Sequence, residues 1–244
     1  MNPIHKLRVA TYNVHRCRGL DRRVRPDRIV AVLRGIDADI VGLQEVLSRK
    51  DRHSHEDQAH YIADQLGLQY VVGATRHLRD GVYGNVVLTR FPLCFAQSYD
   101  LTVRGAEARA CLRADLRLSE NQLLHVFNVH LGTAFLERRV QGRKLLDAEI
   151  LLHKDLAGPR VVLGDFNEWT RGLTTRLLAG HLESPDLRTL LRRRRTYPGI
   201  FPVLHLDHIY FDPALRLERL AIERSRTALV ASDHLPLVAD FSWS

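Results

Sequence analysis

Short runs of apolar and β-branched residues recur along this 244-residue chain and constrain its fold more than any other feature. Such runs, bounded by turn-forming residues, are typical of buried strands. They cover residues 7–12, 40–43, 70–72, 85–88, 93–96, 111–118, 123–129, 160–163, 206–211 and 235–241. Helical patterns are fewer and cover residues 26–34, 56–66, 137–154 and 170–178. Strands therefore dominate, and the sequence predicts a sheet-rich α/β fold.

The lengths of the connections indicate how these strands pair. Strict alternation of strand and helix would give one parallel sheet, whereas the short connections between residues 85 and 129 favour antiparallel neighbours. Two packed sheets, mostly antiparallel or mixed and with helices outside, fit this pattern best. We expect one domain over residues 1–244, because sheet-rich domains of about 200 to 250 residues are common and no linker is evident.

The chain is basic, with 36 Lys and Arg against 28 Asp and Glu and a formal charge of +8. The excess arginine is concentrated at residues 22–25, 138–143 and 192–195. This balance favours polyanionic partners, of which nucleic acid and an anionic membrane both qualify. A basic run also serves simply as a solvated surface, so charge alone names no substrate. No feature of the sequence implies a protein partner.

Cysteine content and hydropathy bear on the compartment. The three cysteines cannot all pair within the chain and have no CxxC spacing, which argues against a disulfide framework or a structural zinc site. The first residues lack the apolar segment of a signal peptide, and no later stretch has the roughly 18 apolar residues of a spanning helix. We therefore expect a soluble, cytoplasmic protein without a transmembrane segment.

Acids, amides and histidines recur at the ends of the apolar runs. The residues in these positions are Asn13, Glu45, His130, Asp165, Asn167, Asp233 and His234. Strand ends meet at the edges of a folded sheet, so residues far apart in sequence can converge into one polar cleft. Carboxylate and amide oxygens suit magnesium or manganese, and a histidine of near-neutral pKa can take a proton from water. Together they predict metal-dependent hydrolysis of phosphate esters.

Six motifs carry a family resemblance. They are TYNVH at residues 11–15, LQEV at 43–46, NVHLG at 128–132, GDFNEW at 164–169, LDHIY at 206–210 and SDHLPL at 232–237. In this order they resemble the endonuclease/exonuclease/phosphatase superfamily, which has the DNase I-like fold. The resemblance implies a four-layer α/β/β/α sandwich and phosphoester hydrolysis with a divalent metal, usually Mg²⁺ with Mn²⁺ as an alternative. Overall, the sequence is most similar to small uncharacterised bacterial members.

The same resemblance implies roles for the metal-binding and phosphate-binding residues. Glu45 corresponds to the principal metal ligand, with Asn13 and Asp233 completing or supporting that site. Asp165 and Asn167 correspond to the residues that hold the attacking water and the phosphate. Taken singly, such polar residues are also common in turns, but all of them together are improbable as turn residues alone.

Proton transfer and substrate contact are implied in the same way. His234 resembles the general base and Asp207 the carboxylate that orients it. His130 resembles a histidine that contacts a phosphate oxygen, although the sequence shows no carboxylate partner for it. Asn85, at a strand start, resembles a phosphate-contacting amide, and Arg109 occupies a position where many members carry a polar pair.

Three functions stay open on the sequence. A nuclease or other phosphodiesterase is favoured by the arginine-rich loops, and a phospholipid or inositol-phosphate hydrolase of the same fold is the alternative. A catalytically silent basic binding protein is the third, and the complete set of motif residues disfavours it. We expect Trp169 to pack against its turn, and His15, His205 and His208 to be neighbours of the site rather than parts of it.

Overall fold

Two β-sheets pack face to face at the centre of the chain, whose computed structural model describes residues 6–49, 56–170, 172–184, 195–199, 201 and 203–243. The strands are β1 (Lys6–Asn13), β2 (Ile40–Arg49), β3 (Gln69–Leu78), β4 (Gly81–Thr89), β5 (Leu93–Asp100), β6 (Ala110–Ser119), β7 (Gln122–His130), β8 (Arg160–Asp165), β9 (Asp207–Phe211), β10 (Leu215–Ile222) and β11 (Leu237–Trp243). The first sheet has the order β10-β11-β1-β2-β4-β3, and the second has the order β5-β6-β7-β8-β9.

Helices cover the outer face of each sheet. They are α1 (Pro26–Ile36), α2 (Gln58–Leu66), α3 (Phe135–Leu145), α4 (Leu173–Leu178), a short α5 (Ala228–Ala231) and a 3₁₀ turn (His15–Cys17). Helices α1 and α2 pack on the first sheet through one apolar cluster, and α3 and α4 pack on the second sheet through another. A third apolar cluster fills the space between the two sheets. The predicted four-layer α/β/β/α sandwich is therefore confirmed. None of the helices described has both the length and the apolar character needed to cross a bilayer.

The pairing pattern is mixed, as the sequence predicts. Strands β1 and β2 run parallel, as do β7 and β8, and every other named pair is antiparallel. The short connection at residues 90–92 nevertheless joins β4 of the first sheet to β5 of the second. These two strands are therefore not the antiparallel neighbours that the sequence predicts. A turn this short suffices because the two sheets are stacked on one another.

Two element predictions are corrected. Strand β10, with the sequence LRLERLAI, was not predicted, because it forms an edge of the first sheet and carries charged side chains on its exposed positions. The helix predicted over residues 137–154 begins at Phe135 and ends at Leu145, and turns follow it. In these turns Leu151 N donates to Leu145 O, which returns the chain to the core. Most of the basic run at residues 192–195 lies outside the described residues.

Polar side chains join the two sheets beneath one edge of the sandwich. Asn128 on β7 donates to the backbone oxygens of Leu43 and Val86, and its own Oδ1 accepts from Gln44 Nε2 at 2.7 Å. These bonds cross from one sheet to the other and give hydrogen-bond partners to amide and carbonyl groups that would otherwise be buried without one. The sheets approach closely here, because a Cβ on Gly42 would lie 2.0 Å from Leu163 Cδ1. A side chain at this position would therefore have to displace Leu163.

A buried ionic cluster lies at the other end of the second sheet. Asp115 on β6 accepts from Arg113 Nε at 2.8 Å, and its Oδ1 also lies 2.8 Å from His125 Nδ1. Burial raises the pKa of the Asp115 carboxyl, but hydrogen bonds from His125 and Arg113 outweigh burial and hold the pKa below its usual range. The cluster therefore favours the ionised carboxylate.

Replacing Asp115 by asparagine is expected to lower the free energy of unfolding by about 3 kcal/mol near neutral pH, because Arg113 would stay buried without its anion. Since the folded-state pKa is depressed, this stabilisation is present above about pH 4 and disappears as the pH falls through the folded-state value. Urea unfolding of both proteins between about pH 3 and pH 7 measures the difference. Asp147→Asn, on an exposed turn, is the control. A difference that does not shrink in acid would contradict the prediction.

Candidate active site

The topology brings the predicted polar residues to one edge of the sandwich. Asn13 ends β1, and His130 and Asp165 end the parallel pair β7 and β8. Asp207 begins β9 directly opposite Asp165, because β8 and β9 are antiparallel. His234 lies just before β11, whose first residue pairs near the end of β1. Strand ends from both sheets therefore meet in one place, as the sequence predicts.

A single amide links the acids of the two sheets. Asn13 is 2% exposed, and its Nδ2 donates to Glu45 Oε1 at 3.2 Å and to Asp165 Oδ2 at 3.0 Å. Its Oδ1 accepts from the backbone nitrogen of His15 at 3.0 Å. Because both Nδ2 hydrogens are used, Asn13 fixes the separation of two carboxylates that belong to different sheets.

A bulge in β2 directs Glu45 towards this edge. The register between β2 and β4 shifts between Leu43 and Val46, and Glu45 has a φ of 60°. Such bulges redirect side chains near functional sites. Burial raises the pKa of Glu45, but the charge of His130 and hydrogen bonds from neighbours that include Tyr83 bring the net pKa below its usual value. Glu45 is therefore held ionised.

The second part of the site is a histidine–carboxylate pair. His234 Nδ1 lies 2.9 Å from Asp207 Oδ2, and both side chains are buried. The opposite ring nitrogen, Nε2, lies 3.7 Å from Asp165 Oδ2, and Tyr197 packs against the ring with centroids 5.0 Å apart. Since the carboxylate accepts from Nδ1, the ring presents Nε2 to the cleft.

Charge at the pair favours a protonated ring. Burial by itself lowers the pKa of His234, but the carboxylates of Asp207 and Asp165 outweigh burial and raise the pKa to about 10. Burial likewise raises the pKa of Asp207, and His234 brings it below its usual value. The pair thus stabilises the imidazolium that forms when His234 accepts a proton.

Asp165 occupies the centre of the site and uses each oxygen differently. Its Oδ1 accepts from the backbone nitrogen of Asn167 at 2.9 Å, which forms the turn expected of these residue types. Its Oδ2 faces Asn13, His130 and His234. Asn167 has a φ of 50° and donates from Nδ2 to Leu131 O at 2.9 Å. Asp165 and Asn167 therefore form a turn, and Asp165 also contacts the other residues of the site.

The structure also supplies the carboxylate partner of His130 that the sequence does not show. His130 Nε2 lies 3.6 Å from Asp165 Oδ2, with the ring 7% exposed. Burial is the largest cause that lowers the pKa of His130; Asp165 opposes it, and the cationic Arg109 reinforces it. The net pKa lies below the usual value, so His130 and His234 are driven in opposite directions within one site.

Asp233 lies on the outer side of the cleft. Its Oδ1 is 3.4 Å from His15 Nδ1 and accepts from Ser232 Oγ at 3.3 Å. His15 also lowers the pKa of Glu45, so this ring lies close enough to interact with both acids. His15, Arg16 and Cys17 all have positive φ values, which strain a turn at the mouth of the cleft. The sequence predicts His15 only as a neighbour of the site, and its position as the last residue of TYNVH was the one available signal.

Asn85 and Arg109, the two weakest motif matches, lie in different settings. The Asn85 amide donates to the backbone oxygens of Ala110 and Asn128, both in the second sheet, so its hydrogens already bridge the sheets. Arg109 is 6% exposed and pairs with Glu107 Oε2 at 2.9 Å, while its Nε has no partner among the described residues. Arg109 thus keeps donor capacity near His130, and a phosphate contact by Asn85 stays a prediction.

Two aromatic residues add features that the sequence does not predict. Tyr83 hydrogen-bonds to Glu45, and nothing in the sequence around residue 83 marked it. Trp169 was expected to pack against its turn, yet it is 49% exposed and has the Arg138 guanidinium 5.3 Å from its ring centre. One face of the indole is therefore covered, and the other is available at the mouth.

The donor set suits a hard divalent cation. Asp165 is buried and Glu45 is partly buried, and the hydrogen bonds described for them come from neutral groups, namely Asn13, Tyr83 and a backbone amide. Among the described residues, neither carboxylate pairs with Lys or Arg. Ligand atoms of Asp165, Asp207 and His234 also lie within 4.8 Å of one another. Oxygen-rich clusters with unneutralised charge favour magnesium or manganese over zinc.

Comparison with known proteins agrees with this geometry. Residues 10–234 match the Endonuclease/Exonuclease/phosphatase family, and the chain belongs to that family. The uncharacterised protein YbhP of Escherichia coli K12 is 32% identical over 243 residues, which cover 96% of this chain and 95% of YbhP. The resemblance seen in the motifs is thereby confirmed, including the similarity to an uncharacterised bacterial member.

Solved structures show the same fold. An endonuclease/exonuclease/phosphatase from Beutenbergia cavernae superposes with a TM-score of 0.76 and 24% identity, covering 99% of this chain and 72% of that one. The mannosyl-6-phosphatase Bt3783 of Bacteroides thetaiotaomicron gives 0.80 and 18% identity, covering 97% and 100%. At these identities the likeness extends to the fold alone.

Proposed function

We propose that this chain is a divalent-metal-dependent phosphoesterase, most simply a phosphodiesterase, in which His234 activates a water molecule for attack on phosphorus. One observation carries the proposal: the Asn13 amide joins Glu45 and Asp165, and Asp165 faces the His234–Asp207 pair at 3.7 Å. The carboxylates that could bind a metal ion thus lie next to the histidine that could take a proton from water. Membership of a family of phosphoester hydrolases supports the same reaction class.

Glu45, Asn13 and Asp233 would hold the cation, with Mg²⁺ the first choice and Mn²⁺ the second. When bound, such an ion polarises a phosphoryl oxygen and neutralises charge that develops on the leaving oxygen. Glu45 is partly buried and is held ionised, which suits the principal ligand. Asp233, half-buried at the rim, suits a supporting role.

The chain's own groups would carry the proton and the phosphate. A cation held by Glu45, Asn13 and Asp233 would offset part of the negative charge that favours the His234 imidazolium, and so make the neutral ring available. Neutral His234 would then take a proton through Nε2 as the water oxygen forms its bond to phosphorus, and Asp207 would stabilise the resulting imidazolium. Asp165 and Asn167 orient the water and the phosphate, while His130 and Arg109 face the phosphate oxygens. The bond from phosphorus to the leaving oxygen then breaks, and that oxygen takes a proton from solvent.

Two substrate classes fit this chemistry. The formal charge of +8 and the clustered arginines favour a polynucleotide, and the same arginines would attract phospholipid or inositol-phosphate headgroups. A catalytically silent binding protein is disfavoured because the ligand set and the histidine–carboxylate pair are complete. Turnover, rather than binding, separates the enzyme from the silent protein.

The proposal predicts that hydrolysis of a water-soluble chromogenic phosphodiester depends on Mg²⁺ or Mn²⁺ and falls at least about 100-fold with chelator. Calorimetry should detect Mg²⁺ binding in the wild type and lose it in Glu45→Gln, because the principal anionic ligand is neutralised. Glu149→Gln, on an exposed turn, is the matched control. Parallel assays with plasmid, single-stranded DNA, RNA, sphingomyelin and phosphatidylinositol phosphates identify the substrate class. Unchanged Mg²⁺ affinity in Glu45→Gln would refute the assigned ligand.

A further inference from the structure

Exposed apolar side chains gather around the mouth of the candidate active site. Six of them form what we term the apolar rim: Leu20, Phe135, Leu136, Trp169, Phe201 and Val230. Leu136 and Phe201 are exposed to 72% and 73%, which is far beyond the scattered partial exposure usual for large apolar residues. A concentration of this kind around a polar cleft marks a surface that meets an apolar partner.

Every segment of the rim enters or leaves the edge where the catalytic strands end. Trp169 follows Asn167 by two residues, and α3 begins five residues after His130. The turn before Phe201 is tied to the site, because Gly199 N donates to Asp233 O at 2.6 Å. Leu20 N donates to Val230 O at 3.1 Å, which joins two further segments. The rim residues therefore lie on several segments that adjoin the edge of the sandwich where the cleft lies.

Helix α3 is reversed relative to an ordinary surface helix. Arg138 and Gln141 are buried, whereas Phe135 and Leu136 face outward. The buried side chains are used: Arg138 Nη1 donates to Gly132 O, and Gln141 Oε1 accepts from Gly132 N at 2.8 Å. These bonds anchor the segment that follows His130. In the first turn of α3, Leu136 stays largely exposed, and Phe135 is covered on one face only, by the Arg139 guanidinium 5.7 Å from its ring centre. An ordinary amphipathic helix has the opposite arrangement.

Basic side chains accompany the rim. Arg16, Arg18, Arg22 and Arg23 lie on the segment that carries Leu20, and Arg143 follows Phe135 and Leu136 on α3. All five arginines are exposed. Apolar side chains flanked by arginine are the composition that inserts into the headgroup boundary of an anionic membrane.

We propose that the apolar rim docks this chain on a membrane surface that carries anionic phospholipids, with the cleft facing the headgroup phosphoesters. This inference rests on the proposed phosphoesterase function and assigns its substrate class. Aromatic side chains and arginines would also suit single-stranded nucleic acid, on which bases stack. Leu20, Leu136 and Val230 have no π-face for stacking, whereas acyl chains accommodate them directly. The aliphatic side chains of the rim therefore favour a lipid surface over single-stranded nucleic acid.

Tryptophan fluorescence tests the docking directly. The chain has two tryptophans, and Trp243 lies at the far end of β11, where β1 begins, away from the rim. Trp243→Phe leaves Trp169 as the single reporter. Vesicles of phosphatidylglycerol and phosphatidylcholine with brominated acyl chains should quench Trp169 and shift its emission to the blue, whereas pure phosphatidylcholine vesicles should do so weakly. In the converse protein, Trp169→Phe, Trp243 should not be quenched.

Substitutions in the rim give the second readout. Leu136→Ser and Phe135→Ser, each in the Trp243→Phe background, should lower the vesicle partition coefficient at least about tenfold, because each removes a side chain that would leave water. Leu152→Ser, an exposed leucine that precedes β8 at the opposite edge, is the matched control and should bind vesicles like its parent. Circular dichroism melting curves establish that every variant is folded.

Two results would overturn the docking surface. One is equal vesicle binding by Leu136→Ser and Leu152→Ser. The other is a Trp169 signal that responds to a single-stranded oligonucleotide but not to anionic vesicles, which would make the rim a nucleic-acid surface. The proposed function fails separately: an enzyme that hydrolyses the water-soluble diester but ignores vesicles refutes docking alone, and one that binds vesicles without any turnover refutes the phosphoesterase.

Discussion

Replacement of Asp165 by asparagine is expected to lower kcat by about three orders of magnitude while the protein stays folded. The side chain keeps its shape, so the turn with Asn167 is preserved, but the negative charge facing His130 and His234 is lost. An amide at this position would also set a donor against Asn13 Nδ2 or against the histidines. The loss therefore falls on the orientation of water and phosphate rather than on the fold.

Steady-state hydrolysis of the water-soluble diester at saturating Mg²⁺ measures this effect. Asp212→Asn is the matched control, because Asp212 follows β9 at the opposite edge and pairs with Arg160 at 3.0 Å on a partly exposed surface. The control should lose less than about 1 kcal/mol of stability and retain its kcat. An Asp165→Asn protein within tenfold of the wild-type kcat would show that this carboxylate is not part of the reaction.

His234→Gln is expected to reduce kcat by about 10²- to 10⁴-fold with only a small change in KM, because a general base acts in the transition state. Glutamine keeps polar atoms near Asp207 but cannot accept the proton from water. His77→Gln, on the exposed part of β3, is the control for substitution of a histidine. Single-turnover measurements distinguish a slowed chemical step from slowed product release.

A double-substitution cycle tests whether Asp207 acts through His234. Asp207→Asn alone should cost less than His234→Gln, since the ring remains and loses its orienting carboxylate. The double variant should be no slower than His234→Gln alone, because residues that act as a unit are strongly non-additive. Additive losses in the cycle would instead assign Asp207 an independent role.

The types of residue at the site could be predicted from the sequence, but their partners could not. Polar side chains at the ends of apolar runs follow from strand periodicity, and this placed Asn13, Asp165 and His234 at one edge. The bond between Asn13 and Asp165 spans 152 positions of the chain. A contact of that separation depends on the register and stacking of two sheets, about which local sequence patterns are silent.

Backbone irregularity was equally beyond local patterns. Glu45 reaches the site through a bulge and a positive φ, whereas regular alternation along β2 would not single it out. The left-handed turn that brings His15 beside Asp233 contains no glycine from which it could be predicted. Conformations of this kind persist because the surrounding structure holds them.

The sequence by itself determined the strand-rich class, the family and the identity of the acids, amides and histidines, because these depend on periodicity and on residue type. Tertiary structure alone decided which groups share hydrogen bonds, why β10 forms at an edge, and that α3 turns Phe135 and Leu136 towards solvent. Side-chain exposure and pairing are properties of packed surfaces. They arise only when segments distant in sequence are brought into contact, and the same packing exposes the apolar rim around the cleft.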